Sequence, residues 1–350
     1  MQAITIVPGQ PRSVALKEVA EPEPAEGSLL VRALQLGVCG TDFDLIAGDY
    51  GWAPGGSGHL VLGHESFGEV IEAPSASNFT KGDLVVGIVR RPDSEPCVAC
   101  AVGEWDMCRN GHYTERGIKE RHGFGAQRWR IEPEFAVKVE TEMRAVGVLV
   151  EPASVLAKAW EQIEHIGQRA HWRPRSLLVT GAGPIGLLAA MMGAQRGLAV
   201  HVLDQVTDGP KPKLVEELGA KYYTGGVECL GFAPDIVIEC SGAAALTRDC
   251  MLQMGSAGIL CMVGSSAHAQ DALLDVSQFN RAMVLNNLTV FGVVNGNRRH
   301  YEQAAEALRR ASRNWLLGLI TRREPLANWS AAFQRQPGDV KVVIDLASGD

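Results

Sequence analysis

The sequence predicts an α/β protein in which a β-rich domain is joined to a domain built on a parallel sheet. In residues 1–150, short apolar runs are broken by Gly and Pro, a pattern typical of a β-rich, loop-rich domain. After Glu151, β-type runs alternate with helical patterns, which is typical of the βαβ units of a doubly wound parallel sheet. A helical pattern at 300–311 and an apolar run at 340–346 then predict a return to the first domain.

Length and composition agree with two globular domains and exclude several classes of protein. The chain has 350 residues, 46% of them hydrophobic, and its net charge of −7 argues against a general nucleic-acid-binding protein. Its longest apolar stretches are far shorter than the roughly 20 residues that span a membrane. The N-terminus lacks the basic start and apolar run of a signal peptide, so we expect a cytoplasmic protein without membrane partners.

The elements of the first domain are predicted from apolar runs that turn residues bound. Strands are expected at 29–34 and 84–89 for this reason. The element that follows the first domain is a helix at 152–166, because apolar residues from Leu156 to Ile163 recur at helical spacing.

The second domain is predicted from strands and helices in alternation. A strand at 176–180 leads into a Gly-rich turn and a helix that ends near Arg196. A strand at 199–203 and a helix at 213–218 follow. The remaining strands of this sheet are predicted at 236–240, 258–263 and 288–294.

The Gly-rich turn has the sequence Gly181-Ala182-Gly183-Pro184-Ile185-Gly186, a G-x-G-x-x-G motif. It follows an apolar strand and opens a helix, which is the context that a dinucleotide-binding loop requires. Gly181 permits the tight turn, Gly183 lets the backbone approach a pyrophosphate, and Gly186 allows close contact of helix and strand. The loop, including Pro184 and Ile185, is therefore a candidate cofactor-binding site, with a ligand-free turn as the alternative.

Asp204 ends the second strand of this unit and bears on the choice of dinucleotide. A carboxylate there accepts hydrogen bonds from the adenosine ribose and would repel a 2′-phosphate. No Arg follows it, and Lys211 and Lys213 come only after a Gly-Pro turn. We therefore predict that NAD is preferred and NADP is possible; the alternative is that Asp204 only caps a loop.

A first group of candidate metal ligands comprises Cys39, His64 and Glu65, with Glu151 far downstream. Thiolate, imidazole and carboxylate are the ligand types of zinc, and a catalytic zinc needs about three of them and one open position. Spacing alone does not show that these side chains meet, so ordinary core packing of Cys39 and His64 is the alternative.

A second group comprises three cysteines, Cys97, Cys100 and Cys108, within twelve residues. A closed structural zinc site takes four ligands, so Asp93, Ser94 or Glu95 would have to supply the fourth. A disulfide and a metal-free loop are the alternatives. No second C-x-x-C pair accompanies the loop, which argues against a nucleic-acid-binding zinc ribbon.

These motifs together resemble a known family. The zinc-dependent medium-chain dehydrogenase/reductases carry in this order the equivalents of GVCGTDFD, GHE, CVACAVGEWDMC, a late Glu-Pro and GAGPIG. Within that family the chain is most similar to the archaeal-type glucose (aldose) 1-dehydrogenases. The closer similarity is carried by the C-x2-C-x7-C spacing, RNGHYTERGI, EPASVLAKAWE, VFGVVNGNRRHYEQA and GDVKVVIDLA.

The resemblance implies a fold and an oligomeric state. It implies a GroES-like β-barrel catalytic domain formed by residues 1–152 and completed by 298–350. A Rossmann dinucleotide-binding domain at 153–297 would be inserted between these segments. A homodimer or homotetramer is expected on the same grounds.

The resemblance also implies roles for individual residues. Cys39, His64 and Glu151 would bind a catalytic zinc, and Glu65 would ligate that zinc or contact it through water and substrate. Thr41 matches the hydroxyl residue that passes the substrate proton outward.

Further positions match the sugar site and the structural zinc of the family. Glu115 and Asn295 match sugar-contacting positions, and Asn295 is also expected near the cofactor. Three structural-zinc ligands fall on Cys97, Cys100 and Cys108, and the first position of the usual quartet falls on Ser94.

The function implied is oxidation of the C1 hydroxyl of a glucose-like aldose to a lactone, with hydride transfer to NAD(P). Two departures bear on it: Ser154 stands where some glucose enzymes have an acid, and Gln205-Val206 stands where they commonly have Arg. One alternative is a zinc-dependent secondary alcohol or polyol dehydrogenase. An alternative from another class is a cofactor-binding module without catalysis.

Overall fold

A computed structural model describes residues 1–265 and 273–347, in which the chain forms two compact units. The first comprises Met1–Ser154, Asn295–Arg310 and the chain from Ile320 onward; the second comprises Val155–Val294 and Ala311–Leu319. The predicted segment 298–350 extends beyond the described residues at its C-terminus.

The strands, in chain order, are β1 (Gln2–Ile6), β2 (Ala15–Glu18), β3 (Leu29–Val38), β4 (Leu60–Val61), β5 (Glu65–Glu72), β6 (Leu84–Gly87), β7 (Arg90–Arg91), β8 (Thr114–Arg116), β9 (Glu120–Arg121), β10 (Arg128–Ile131), β11 (Ala136–Val139), β12 (Ser176–Thr180), β13 (Ala199–Leu203), β14 (Lys221–Tyr223), β15 (Ile236–Glu239), β16 (Ile259–Met262), β17 (Thr289–Gly292), β18 (Ile320–Pro325) and β19 (Lys341–Asp345). The α-helices are α1 (Gly40–Ala47), α2 (Val150–Gly167), α3 (Pro184–Gln195), α4 (Pro210–Glu217), α5 (Ala244–Gln253), α6 (Val276–Asn286), α7 (Arg298–Arg310), α8 (Arg313–Leu319) and α9 (Trp329–Ala332).

The first unit is built around a sheet in the order β11-β6-β5-β3-β19-β18, with β10 also paired to β3. The long strand β3 is apolar and mostly buried, which fits its place in the middle of the sheet. It runs antiparallel to β5, with Gly37 opposite Glu65, and to β19, with Val38 opposite Val342. The residues just after β3, at the start of β5 and at the start of β19 therefore lie at one end of the sheet.

The second unit contains a parallel sheet in the order β14-β13-β12-β15-β16-β17. Numbered within the unit this order is 3-2-1-4-5-6, which is the order of the Rossmann fold. The strands at its centre, such as β15 with Ile236 and Val237, are buried as both faces of a doubly wound sheet require. The predicted Rossmann architecture is confirmed.

Most predicted elements are confirmed, with small differences at their ends. The strand expected at 29–34 continues to Val38. The helix expected at 213–218 begins at Pro210, because proline suits the first turn of a helix, where its missing N–H costs nothing. Among the described residues, no helix combines the length and the apolar character needed to cross a membrane.

Candidate functional site

The first site brings together three of the predicted metal ligands at one end of the sheet of the first unit. Cys39 follows β3, while His64 and Glu65 lie at the start of β5. The Cys39 Sγ and His64 Nε2 atoms are 3.0 Å apart. One ligand atom from each of the three residues lies within 4.8 Å of the others, and His64 and Glu65 are buried. The strand register explains this meeting, which spacing alone could not establish.

Asp42 supports this group from helix α1. Its Oδ2 accepts a hydrogen bond from the Cys39 backbone N–H at 2.9 Å, which fixes the start of the helix. Its Oδ1 lies 3.8 Å from His64 Nδ1, on the side of the ring away from the thiol. This distance is too long for a hydrogen bond, so Asp42 acts on His64 through its charge, which helps to raise the pKa of the imidazole. Sequence reasoning missed Asp42, although its place in the GTDFD motif, one helical turn from Cys39, was a usable signal.

Lys341 is a second residue that sequence reasoning missed. It is 1% exposed, forms an ion pair with Glu65 Oε2, and donates a hydrogen bond to the Val38 carbonyl at 2.9 Å. The ammonium group of Lys341 therefore lies against the Glu65 carboxylate, beside the thiol and the imidazole. No local pattern indicated this, because the contact to Val38 spans 303 positions in the chain.

Glu151, in the first turn of α2, is buried but lies outside the group of ligand atoms within 4.8 Å of one another. Burial raises the pKa of Glu151 to about 7, an effect that the charge of His64 opposes and that of Glu65 reinforces. Burial alone would lower the pKa of His64, but the negative charges of Cys39, Asp42 and Glu151 hold it well above its ordinary value. Glu151 thus shares the electrostatics of the group.

The chemistry of this group fits a zinc ion. It offers sulfur, nitrogen and carboxylate oxygen, which are the ligand types of catalytic zinc. Acids and a thiol surround a single imidazole whose Nδ1 is buried without a hydrogen-bond partner among the described residues. A divalent cation would offset that concentration of negative charge.

The predicted substrate-contacting residues lie in the same unit. Thr41 is the second residue of α1 and is half-buried. Glu115, on β8, is buried, and its Oε1 accepts a hydrogen bond from Asn295 Nδ2 at 2.5 Å. Arg90 forms an ion pair with the same oxygen at 3.0 Å; sequence reasoning did not single it out.

The cysteine loop gathers its three sulfur atoms. One ligand atom each from Cys97, Cys100 and Cys108 lies within 4.8 Å of the others. The backbone N–H of Arg109, with those of Cys100 and Ala99, lowers the pKa of Cys97 to about 6, which favours the thiolate that binds a metal. Ser94, the predicted fourth ligand, is exposed.

The acids proposed beside Ser94 as fourth ligands are not in the cysteine group. Asp93 instead accepts hydrogen bonds from the Glu95 backbone N–H and the Asn110 amide, both at 2.9 Å. The carboxylate of Asp93 therefore shapes the loop.

The predicted dinucleotide loop has the local geometry of its motif. Gly181 has a φ of +84°, a left-handed conformation that favours glycine, and its N–H donates to the Leu203 carbonyl at 2.8 Å. A Cβ on Gly186 would collide with the Gly181 carbonyl, whereas a Cβ on Gly183 would enter open space. That open space lies at the N-terminus of α3, where free N–H groups and the helix dipole suit a pyrophosphate.

Asp204 lies beside this loop, and its carboxylate is hydrogen-bonded to other groups of the protein. Its Oδ2 accepts hydrogen bonds from the Ala182 backbone N–H at 2.6 Å and from Lys211 Nζ at 3.1 Å, and its Oδ1 accepts one from Val206 N–H at 2.9 Å. The sequence placed Lys211 beyond a turn; the structure places it on Asp204. A cation therefore lies next to the acid that was expected to exclude a 2′-phosphate.

A Rossmann sheet with a G-x-G-x-x-G loop and a group of zinc-type ligands define a class, the zinc- and dinucleotide-dependent dehydrogenases. Comparisons with known proteins agree. The alcohol dehydrogenase GroES-like domain matches residues 25–141, and the glucose dehydrogenase C-terminus matches residues 144–346.

Curated relatives span the whole chain. The glucose 1-dehydrogenase 2 of Vulcanisaeta moutnovskia is 38% identical over 99% of both chains. The glucose 1-dehydrogenase of Methanocella arvoryzae is 37% identical over 99% of this chain and 100% of its own. Among solved structures, Haloferax mediterranei glucose dehydrogenase in complex with NADP, Zn and gluconolactone has a TM-score of 0.91 at 31% identity, covering 99% of both chains. The chain belongs to the glucose dehydrogenase branch of the zinc-dependent medium-chain dehydrogenase/reductase family.

Proposed function

We propose that the protein is a zinc-dependent dehydrogenase that oxidises the C1 hydroxyl of a glucose-like aldose to a lactone and reduces NAD(P). The observation that carries this proposal is the meeting of Cys39, His64 and Glu65 in a chain that is similar over its full length to glucose 1-dehydrogenases. The relative that was solved with gluconolactone, zinc and NADP supports the same substrate, metal and cofactor.

Cys39, His64 and Glu151 are proposed to hold the zinc. When bound, zinc supplies a Lewis acid that lowers the pKa of an alcohol, and the nicotinamide supplies the hydride acceptor. Asp42 places a negative charge 3.8 Å behind His64, on the Nδ1 side of the ring. Lys341 forms an ion pair with Glu65, the carboxylate that is proposed to ligate the metal or take a proton.

The substrate is proposed to contact Thr41, Glu65, Glu115, Glu151 and Asn295. The hydroxyl of Thr41 both accepts and donates a hydrogen bond, so it can pass the C1 proton outward. Glu115 is an acceptor for a sugar hydroxyl, and Asn295 holds it through the 2.5 Å hydrogen bond.

The dinucleotide is proposed to bind at residues 181–186, with Asp204 at the adenosine ribose. Its carboxylate favours NAD, since it accepts hydrogen bonds from ribose hydroxyls. Lys211 Nζ, 3.1 Å from Asp204 Oδ2, offers a positive charge to a 2′-phosphate and makes NADP an alternative. Asn295 is also proposed to contact the cofactor.

A structural zinc on Cys97, Cys100 and Cys108, with Ser94 as the fourth ligand, is part of the proposal. A homodimer or homotetramer is also proposed. Helix α6 supports it, since Val276, Val284 and Leu285 are each more than 60% exposed and β17 is an edge strand of its sheet. A cytoplasmic location is proposed from the sequence alone.

A panel assay tests this function. Purified protein is analysed for zinc and is then supplied with NAD or NADP and with aldoses, polyols or secondary alcohols. We expect lactone formation from glucose or a close aldose, and a loss of kcat of at least ~100-fold with loss of metal in Cys39→Ser. Turnover of alcohols but of no aldose would contradict the sugar assignment, and full turnover of metal-free protein would contradict the zinc mechanism.

A further inference from the structure

Glu115 lies in a buried polar network that occupies only one of its two carboxylate oxygens. Its side chain is 4% exposed, and Oε1 accepts hydrogen bonds from Arg90 Nε at 3.1 Å and Asn295 Nδ2 at 2.5 Å, with Arg90 Nη2 at 3.0 Å. Among the described residues, Oε2 has no hydrogen-bond partner, and it is not one of the fully buried unpartnered atoms. One oxygen is therefore committed to the protein and the other is accessible.

Asp106 holds one of the two donors, Arg90, directly, and it holds the segment that carries the other donor, Asn295, through Asn297. Its backbone carbonyl accepts a hydrogen bond from Arg90 Nη1 at 3.1 Å. Its side-chain Oδ1 accepts one from Asn297 Nδ2 at 2.8 Å, two residues beyond Asn295. Arg90, Asp106 and Asn297 are each buried, so this arrangement is fixed by interior packing as well as by hydrogen bonds.

Tyr113 restricts Arg90 further. The guanidinium carbon lies over the Tyr113 ring, 3.7 Å from its centroid, so a cation–π contact holds the group in addition to its hydrogen bonds. A planar fork held in this way directs its donors at one oxygen, which the point charge of a lysine would not do.

The segment 114–121, which comprises β8 and β9, packs against the residue that precedes His64. A Cβ on Gly117, two residues beyond Glu115, would collide with the backbone of Gly63, the residue before His64. The Phe124 N–H, just after this segment, donates to the Gly63 carbonyl at 2.9 Å. Glu115 is thus on an element whose position is tied to the metal ligands.

We propose that Arg90, anchored by Asp106, is a positioning residue for substrate recognition: it commits Oε1 of Glu115 to the protein and leaves Oε2 to accept one hydrogen bond from a substrate hydroxyl. An ionised carboxylate is an acceptor only, so the group it recognises must be a donor, as each hydroxyl of an aldose is. The proposal rests on the proposed function, which makes Glu115 a sugar contact.

A double-mutant cycle tests this role. KM and kcat for glucose and KM for the dinucleotide are measured in the wild type, Arg90→Gln, Glu115→Gln and the double variant. We expect Arg90→Gln to raise KM for glucose ~10- to 100-fold, the range for a hydrogen bond to a charged group, with kcat and the dinucleotide KM changed less than ~3-fold. Because Arg90 acts through Glu115, the double variant should be no worse than Glu115→Gln alone.

Arg91→Gln is the matched control. Arg91 is as buried as Arg90 but pairs with Glu132, so its loss should lower stability and leave KM for glucose within ~2-fold. Arg90→Lys provides a milder variant, which is expected to recover part of the affinity for glucose. If Arg90→Gln does not fold, Arg90→Lys replaces it in the double-mutant cycle.

The outcomes separate this proposal from the proposed function. If the wild type oxidises glucose but the effects of Arg90→Gln and Glu115→Gln on KM are additive, the positioning role is overturned and the proposed function stands. The positioning role is also overturned if Arg90→Gln and Arg91→Gln change kcat, the KM for glucose and the KM for the dinucleotide to the same extent. Such a result indicates a general structural role for Arg90. Wild type that oxidises no aldose overturns the proposed function and this inference with it.

Discussion

At the scale of single residues, the candidate metal site depends on how a buried excess of negative charge is offset. Glu65 and Lys341 are 2% and 1% exposed, and each is the other's ion-pair partner. A buried ion pair adds little net stability compared with apolar residues, but removal of one partner leaves the other charge uncompensated. Lys341 therefore matters because it compensates the buried charge of Glu65.

Substitution Lys341→Met tests this dependence. We expect it to lower the free energy of unfolding by about 3–5 kcal/mol, because Glu65 is left as an unpaired buried carboxylate. The double substitution with Glu65→Gln removes that charge and should recover much of the loss. Urea denaturation of the wild type, both single variants and the double variant gives the comparison. Equal stability of Lys341→Met and wild type would show that the ion pair is not formed in solution.

The same residues show what sequence could predict about the site. Cys39, His64 and Glu65 were predicted from ligand chemistry, since thiol, imidazole and carboxylate stood beside small residues in short motifs. Lys341 was not predicted, because its contact depends on β19 pairing with β3 from the far end of the chain. Lys211 does follow a Gly-Pro turn, as the sequence shows, but its hydrogen bond to Asp204 was not predicted.

At the scale of elements, the loop from β12 to α3 could be predicted because everything it needs is local. Three glycines at fixed spacing, the strand before them and the helix after them form one continuous segment. The elements of the first unit were harder to predict, because strand pairing such as that of β3 with β5, β10 and β19 is non-local. Runs of apolar residues predict that strands exist there, while the register that joins Cys39 to His64 comes from the whole sheet.

Two glycine substitutions separate the structural and binding roles of this loop. Gly183→Ala places a methyl group in open space at a φ of −76°, so stability should be unchanged while the dinucleotide Kd rises ~10-fold or more. Gly186→Ala drives a methyl group into the Gly181 carbonyl and should cost about 1–3 kcal/mol of stability. Thermal unfolding and fluorescence titration with the reduced dinucleotide measure both quantities. The expectation fails if Gly183→Ala binds the dinucleotide as tightly as the wild type.

His201, on β13, is expected to make the stability of the second unit depend on pH. Burial, with the nearby positive charge of Lys221, lowers the pKa of His201 below its ordinary value, and Nδ1 of the ring lies 3.0 Å from the Tyr223 hydroxyl. The unfolded chain, in which His201 has a pKa of about 6.5, therefore binds the proton more readily than the folded chain. The free energy of unfolding decreases as the pH is lowered through and below about 6.5. We expect His201→Asn to flatten this fall between about pH 7 and pH 5 in urea titrations. An unchanged slope would exclude His201 as its source.

At the scale of the whole molecule, the chemistry is divided between the two compact units. The candidate ligands Cys39, His64 and Glu65 and the cysteine loop belong to the first unit, whereas the dinucleotide loop at 181–186 belongs to the second. Each set is assembled by contacts within its own unit. Metal binding and dinucleotide binding should therefore be separable in experiment.

Removal of the metal tests that separation. Treatment with a strong chelator should abolish turnover, because the alcohol loses the Lewis acid that lowers its pKa. The Kd of the reduced dinucleotide should change less than ~3-fold, since the loop at Gly181 and Gly183 contains no metal ligand. The melting temperature should fall, because a metal that binds only the folded state stabilises it. Added zinc should restore both the turnover and the melting temperature. If the chelated protein also loses its affinity for the dinucleotide, the two sites are energetically coupled and the expectation is wrong.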